Sequence, residues 1–65
     1  MRDPRLEPQK GDVLKRKRLM RKVTQIEKGR VFYTFPDGTN PRECYLATWQ
    51  AWAANAEVVA RGDES

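Results

Sequence analysis

Two turn signals in this chain bracket five consecutive residues of high β propensity. Val31-Phe32-Tyr33-Thr34-Phe35 follows Glu27-Lys28-Gly29-Arg30 and precedes Pro36-Asp37-Gly38-Thr39-Asn40-Pro41. β-Branched and aromatic side chains suit a pleated, half-buried surface. Gly29 is free to take the positive φ that a tight hairpin needs, and the Pro, Asp, Gly and Asn residues of the second loop favour a reversal. The chain therefore reads as short strands joined by turns. A period of two puts Val31, Tyr33 and Phe35 on one face of the central strand and turns Phe32 to the other.

The flanking segments extend this pattern. Lys10-Gly11-Asp12 is a turn that opens a strand at Val13-Leu14. Leu19 to Lys28 alternates imperfectly, because Ile26 falls on the opposite face from Leu19 and Val23 unless a bulge intervenes between Val23 and Ile26. Arg42 to Leu46 alternates again, with Cys44 and Leu46 on one face and Tyr45 on the other. At Thr48, an expected N-cap, the spacing becomes helical through Trp49, Trp52, Ala53 and Ala56. Asn55 is a candidate left-handed stop, and Glu57-Val58-Val59 forms a last strand. Four strands, a short helix and a strand, in 65 residues, make one domain near the lower size limit for a self-sufficient core. The expected class is mainly β, a small SH3-like barrel of about five strands with one short helix before the last strand. A twisted open sheet with the helix across one face is the alternative. Residues 1–9 are expected to be a flexible lead-in, 10–60 the domain and 61–65 a disordered tail.

Pro8-Gln9-Lys10-Gly11-Asp12-Val13-Leu14 resembles the first turn and strand of SH3-like barrels of the KOW and Tudor-like type. Cys44 to Ala53, with its Trp-x-x-Trp helix, followed by Ala56-Glu57-Val58-Val59, is similar to small phage and prophage proteins. The resemblance covers residues 8–59 and implies a fold and a mobile-element origin, with no reaction attached. The aromatic-cage pattern of methyl-lysine readers is missing, so that role is not carried over.

Charge supplies the functional lead. Six of the eight residues from Lys15 to Lys22 are basic: Lys15, Arg16, Lys17, Arg18, Arg21 and Lys22. Residues 1–30 carry eleven basic and four acidic side chains, a net of +7, whereas residues 31–65 carry a net of −3. Such a dipole attracts and orients an anionic partner. The competing explanation is a solvated strand face whose charges discourage edge-to-edge aggregation. The expected function is weak, largely non-specific nucleic-acid binding, DNA and RNA being undistinguished, with Phe32 and Tyr45 as possible base-stacking partners. The alternative is a protein-interaction module docking on an acidic host or virion protein. Trp49 and Trp52 are assigned to the core, because a chain this small must bury its largest side chains.

Catalysis is the least supported class. Cys44 has no His to activate it and reads as a small buried hydrophobe. Asp37 suits a turn and Glu43 a solvent-facing strand position, so neither is placed to act as an acid or base. A chain with one Cys and no His has no internal disulfide and too few ligands for zinc. No cofactor or metal is expected, and the compartment expected is cytoplasmic. The start of the chain, with four charged residues and two prolines among the first eight, is not a signal peptide. No apolar run approaches the ~20 residues of a membrane span. The expected state is a monomer or a weak homodimer.

Overall fold

The structure, a computed structural model, describes residues 2–62. It comprises β1 (Val13–Arg16), β2 (Leu19–Glu27), β3 (Arg30–Thr34), β4 (Arg42–Tyr45), α1 (Leu46–Ala53) and β5 (Glu57–Ala60). The strands form one antiparallel sheet in the order β4-β3-β2-β1-β5. The mainly β class, the five strands and the helix before the last strand are all as expected. The sheet is open: no ladder joins its edges, β4 and β5, among the described residues. Helix α1 instead carries the chain from one edge to the other. No helix among the described residues is long and apolar enough to cross a membrane.

Two two-residue loops fold the meander. At the β2–β3 hairpin Glu27 pairs with Arg30, and the intervening Lys28 and Gly29 have φ of 47° and 77°. Two positive φ values match the right-handed strand twist, which is why Gly29 belongs here. At the β1–β2 hairpin Arg16 pairs with Leu19, leaving Lys17 (φ 57°) and Arg18 at the tip. The expected bulge in β2 is present. The register slips between Val23 and Gln25, and the extra residue, Thr24, donates its hydroxyl to the Phe32 carbonyl at 3.2 Å. It does not bring all three apolar residues inside: Val23 is fully buried, whereas Leu19 and Ile26 stay 36% and 41% exposed.

Leu14, Val23, Val31, Trp49, Ala53 and Ala56 form the core, with Tyr33, Cys44, Leu46, Trp52 and Val58 packed against it. Phe35, expected to share a strand face with Val31 and Tyr33, lies just beyond β3 and is exposed. The helix limits also differ from expectation. α1 starts directly off β4, with Tyr45 at the N-cap position and no side-chain cap bond, so Thr48 lies inside the helix. The Leu46 amide donates to the Gly29 carbonyl at 2.8 Å, and Leu46 packs on the core. Tertiary contacts thus set the start in place of a cap. The helix closes at Ala54 in right-handed conformation, and Asn55 is not left-handed.

The segment expected as a loose lead-in makes specific bonds. The Trp49 indole N–H donates to the Pro4 carbonyl at 3.2 Å, Gln50 to the Leu6 carbonyl at 3.0 Å, and the Arg5 Nε–H to the Ala56 carbonyl at 3.0 Å. A buried indole N–H requires an acceptor, and the lead-in supplies it. Asp12, fully buried, joins both ends of the chain. Its carboxylate accepts a bidentate pair from Arg2 (2.6 and 2.9 Å) and the backbone N–H groups of Gln9 and Gly62 (both 2.7 Å). Burial pushes the Asp12 carboxyl up, but the Arg2 hydrogen bonds and the two amides outweigh it and hold the group below the usual carboxylate value. Arg61 donates to the Arg2 carbonyl at 2.7 Å. Of the expected tail, residues 63–65 lie outside the described residues.

Candidate nucleic-acid interface

The β1–β2 hairpin carries the whole basic run, and its register decides where each side chain points. Residues opposite each other in a ladder share a face. Arg21 faces Leu14 and Leu19 faces Arg16, so Arg16 and Arg21 lie on the core side of the sheet. Lys15, opposite Met20, and Lys22, opposite Val13, lie on the outer side. Lys17 and Arg18 project from the turn. The six residues are therefore divided among two faces and a tip, as strand alternation dictates.

No described carboxylate forms an ion pair with any of the six. Lys15 has Glu57 opposite it in the β1–β5 ladder, without an ion pair forming. Arg2, Arg5 and Arg30, outside the run, each meet a carboxylate. Three acidic residues are taken by those arginines: Asp12 by Arg2, Asp3 by Arg5 and Glu43 by Arg30.

Arg21 differs from the other five in its aromatic contacts. Its guanidinium lies 4.5 Å from the centroid of the Tyr33 ring and 4.3 Å from that of Trp52, clamped between the two. Cation–π contacts of this kind contribute about 0.5–2 kcal/mol each, depending on desolvation. Trp52 in turn packs on the fully buried Trp49, with ring centroids 5.4 Å apart. The two tryptophans assigned to the core thus differ: Trp49 is wholly inside, whereas Trp52 is half-buried and lines a shallow groove with Arg16, Lys17, Arg18 and Leu19. On the other side of Leu19, a smaller recess is lined by Arg21, Tyr33, Phe35 and Arg42 among others. Arg42 reaches this side because it pairs with Tyr33 across the β3–β4 ladder.

Phe32 and Tyr45 sit elsewhere. Both lie on the outer face, opposite Glu43 and Arg30 respectively, and Tyr45 is 64% exposed. The side chains lining the surface around Phe32 are Glu27, Lys28, Arg30, Pro41, Arg42 and Glu43, a mixed-charge set that includes none of the six. The Arg30 guanidinium, 5.5 Å from the Tyr45 ring centroid, is the cation nearest that ring in the cation–π geometry observed. The aromatic groups beside the basic hairpin are instead Tyr33, Trp52 and Phe35. Sequence alternation identifies Phe32 as outward-facing, but it does not show that α1 delivers Trp52 to the tip of a hairpin some thirty residues earlier.

The remaining candidates are accounted for locally. The Asp37 carboxylate accepts bonds from the Thr39 amide (3.0 Å) and hydroxyl (2.7 Å), which lower its pKa and shape the β3–β4 loop. Glu43 is half-exposed, 3.7 Å from Arg30. Burial pushes the Cys44 thiol up, away from the thiolate form. Comparison of the chain with protein-family models, with curated proteins and with solved structures found no match.

Proposed function

We propose that this protein binds nucleic acid, weakly and with little sequence choice, through the β1–β2 hairpin. The observation that supports it is the set of six cations with no ion-pair partner among the described residues. Lys15, Arg16, Lys17, Arg18, Arg21 and Lys22 occupy a structural unit only a few residues long, while Arg2, Arg5 and Arg30 each meet a carboxylate. Solvated strand faces usually mix signs, and this hairpin does not. Lys17 and Arg18, at the exposed tip, make the first contacts with phosphate. Arg16 and Arg21 meet a strand lying across the end of the sheet, and Lys15 and Lys22 add long-range attraction. Phosphate contacts give affinity without sequence information.

The test is fluorescence anisotropy of labelled oligonucleotides at several salt concentrations. Binding weakens steeply with salt, and each engaged phosphate adds about −0.7 to −0.9 to the log–log slope. The double variant Lys17→Glu/Arg18→Glu loses most of the affinity. Absence of binding at low salt removes the proposal.

A second reading has its own observation. The edge strands β4 and β5 each pair with one strand only among the described residues, and Tyr45 and Val59 are exposed on them (64% and 50%). An open edge can accept a strand from another protein. On this reading the protein is an interaction module, in keeping with the phage-protein resemblance, and the basic hairpin speeds approach to an acidic partner. A pull-down from nuclease-treated lysate that recovers no partner counts against it.

A further inference from the structure

We infer that the ligand of the hairpin is single-stranded nucleic acid, held along a track that crosses the end of the sheet over Leu19. This inference rests on the proposed function and specifies the form of its ligand. The track has two halves. One, of about 450 Å³, is lined by Arg16, Lys17, Arg18, Leu19 and Trp52. The other, of about 110 Å³, shares Leu19 and adds Arg21, Tyr33, Phe35 and Arg42. Each half has an apolar floor beside guanidinium groups: Trp52 and Leu19 in the first, Phe35 and Leu19 in the second.

Such a floor has no use for a duplex, whose bases are stacked inside and which presents phosphates and groove edges to a surface. An unpaired base has an exposed π-face and apolar edge that fit it, and sequence-tolerant single-strand binders combine these two elements, a cationic groove and aromatic platforms. Leu19 and Phe35 are 36% and 40% exposed and stand outside the core cluster, so part of their apolar surface is open to a ligand. Arg21, fixed between Tyr33 and Trp52, is a pre-ordered cation at the junction of the halves. An Arg held in place loses less side-chain entropy when it meets a phosphate.

The experiment titrates the full chain with a single-stranded DNA, a single-stranded RNA and a DNA duplex of equal phosphate number, at one low salt concentration. Anisotropy and intrinsic tryptophan fluorescence are both recorded. At least tenfold preference for one or both single strands is expected, with a change in tryptophan emission that reports on Trp52, since Trp49 is fully buried. Leu19→Ser and Phe35→Ser, each confirmed folded by circular dichroism, lower single-strand affinity roughly five- to tenfold, in the range of one lost base contact, with the salt slope unchanged. Equal affinity for duplex and single strand with unaltered emission overturns the track and leaves the proposed function standing. So does full single-strand affinity in both Ser variants. No binding of any of the three oligonucleotides at low salt overturns both.

Discussion

The two ends of β1 put the same chemistry to opposite uses. At its start, the Arg2 guanidinium is locked against Asp12 with every carboxylate oxygen satisfied inside the protein. At its finish, about 17 Å away for an extended strand, Lys17 and Arg18 stand in a turn with no carboxylate partner among the described residues. A buried ion pair fixes structure, because removing either partner strands a charge in a dry site. An unpaired cluster costs the fold some self-repulsion and leaves charge available to a ligand. One small protein thus separates the charge that holds it together from charge left available at the surface.

Asp12→Asn is the strongest way to break that contrast. It keeps the shape but removes the negative charge that Asp12 sets against Arg2, and should lower stability by about 3–5 kcal/mol, the usual cost of breaking a buried pair. A urea titration followed by tryptophan fluorescence measures it, and a loss under 1 kcal/mol would refute the buried-anchor reading. The same bond sets the acid response. Because the folded pKa of Asp12 lies below its ordinary value, its contribution is fully present above the unfolded carboxylate pKa. It is lost as pH falls through that value and then through the lower folded one. The urea midpoint should therefore drop on acidification from about pH 5, and Asp12→Asn should flatten that dependence.

Gly62→Ala probes the same end of β1 through the backbone. A Cβ on Gly62 would overlap the Lys10 carbonyl and sit 3.0 Å from the Gly11 Cα. The segment has to shift, weakening the Gly62 amide bond to Asp12, for an expected loss of about 1–2 kcal/mol. Wild-type stability in this variant would mean that the C-terminal segment contributes nothing to the anchor. Lys17→Glu/Arg18→Glu at the other end should leave the urea midpoint within about 0.5 kcal/mol of wild type, as exposed substitutions do, while removing most of the oligonucleotide affinity. A large stability loss there would show that the tip is structural after all.

The sequence makes the tip legible and leaves the anchor hidden, for a physical reason. Turn residues, strand alternation and the basic run are local signals, so the β2–β3 hairpin, the bulge between Val23 and Ile26 and the basic run from Lys15 to Lys22 could be placed from neighbours in the chain. The Arg2–Asp12–Gly62 junction joins residues at both ends, and nothing near Asp12 in sequence says that it will be buried. Its Gly-Asp setting looks like an ordinary turn. The helix start was misplaced in the same way: Thr48 is a good local cap, yet Leu46 is drawn in earlier by core contacts. For the candidate site, Trp52 was obscured because helical spacing cannot tell a fully buried tryptophan from one at the rim.

The smallest expected effect gives the finest comparison, because both hairpins hold a lysine in the left-handed region, Lys17 at φ 57° and Lys28 at φ 47°. That conformation is strained for a side chain with a Cβ and is eased by Asn. Lys28→Asn creates the favoured Asn-Gly pair and should raise stability by about 0.5 kcal/mol. Oligonucleotide binding should be unchanged, since Lys28 lies outside the basic run. Lys17→Asn relieves the same strain and should stabilise the fold by a similar amount, but it also removes a cation from the tip. Affinity should fall and the salt slope shrink by about 0.7 to 0.9, one phosphate contact. Urea and anisotropy titrations on the two variants therefore separate backbone from charge. If Lys17→Asn matched Lys28→Asn in both, Lys17 would be only a strained turn residue, and the phosphate-binding role of the tip would rest on Arg18 alone.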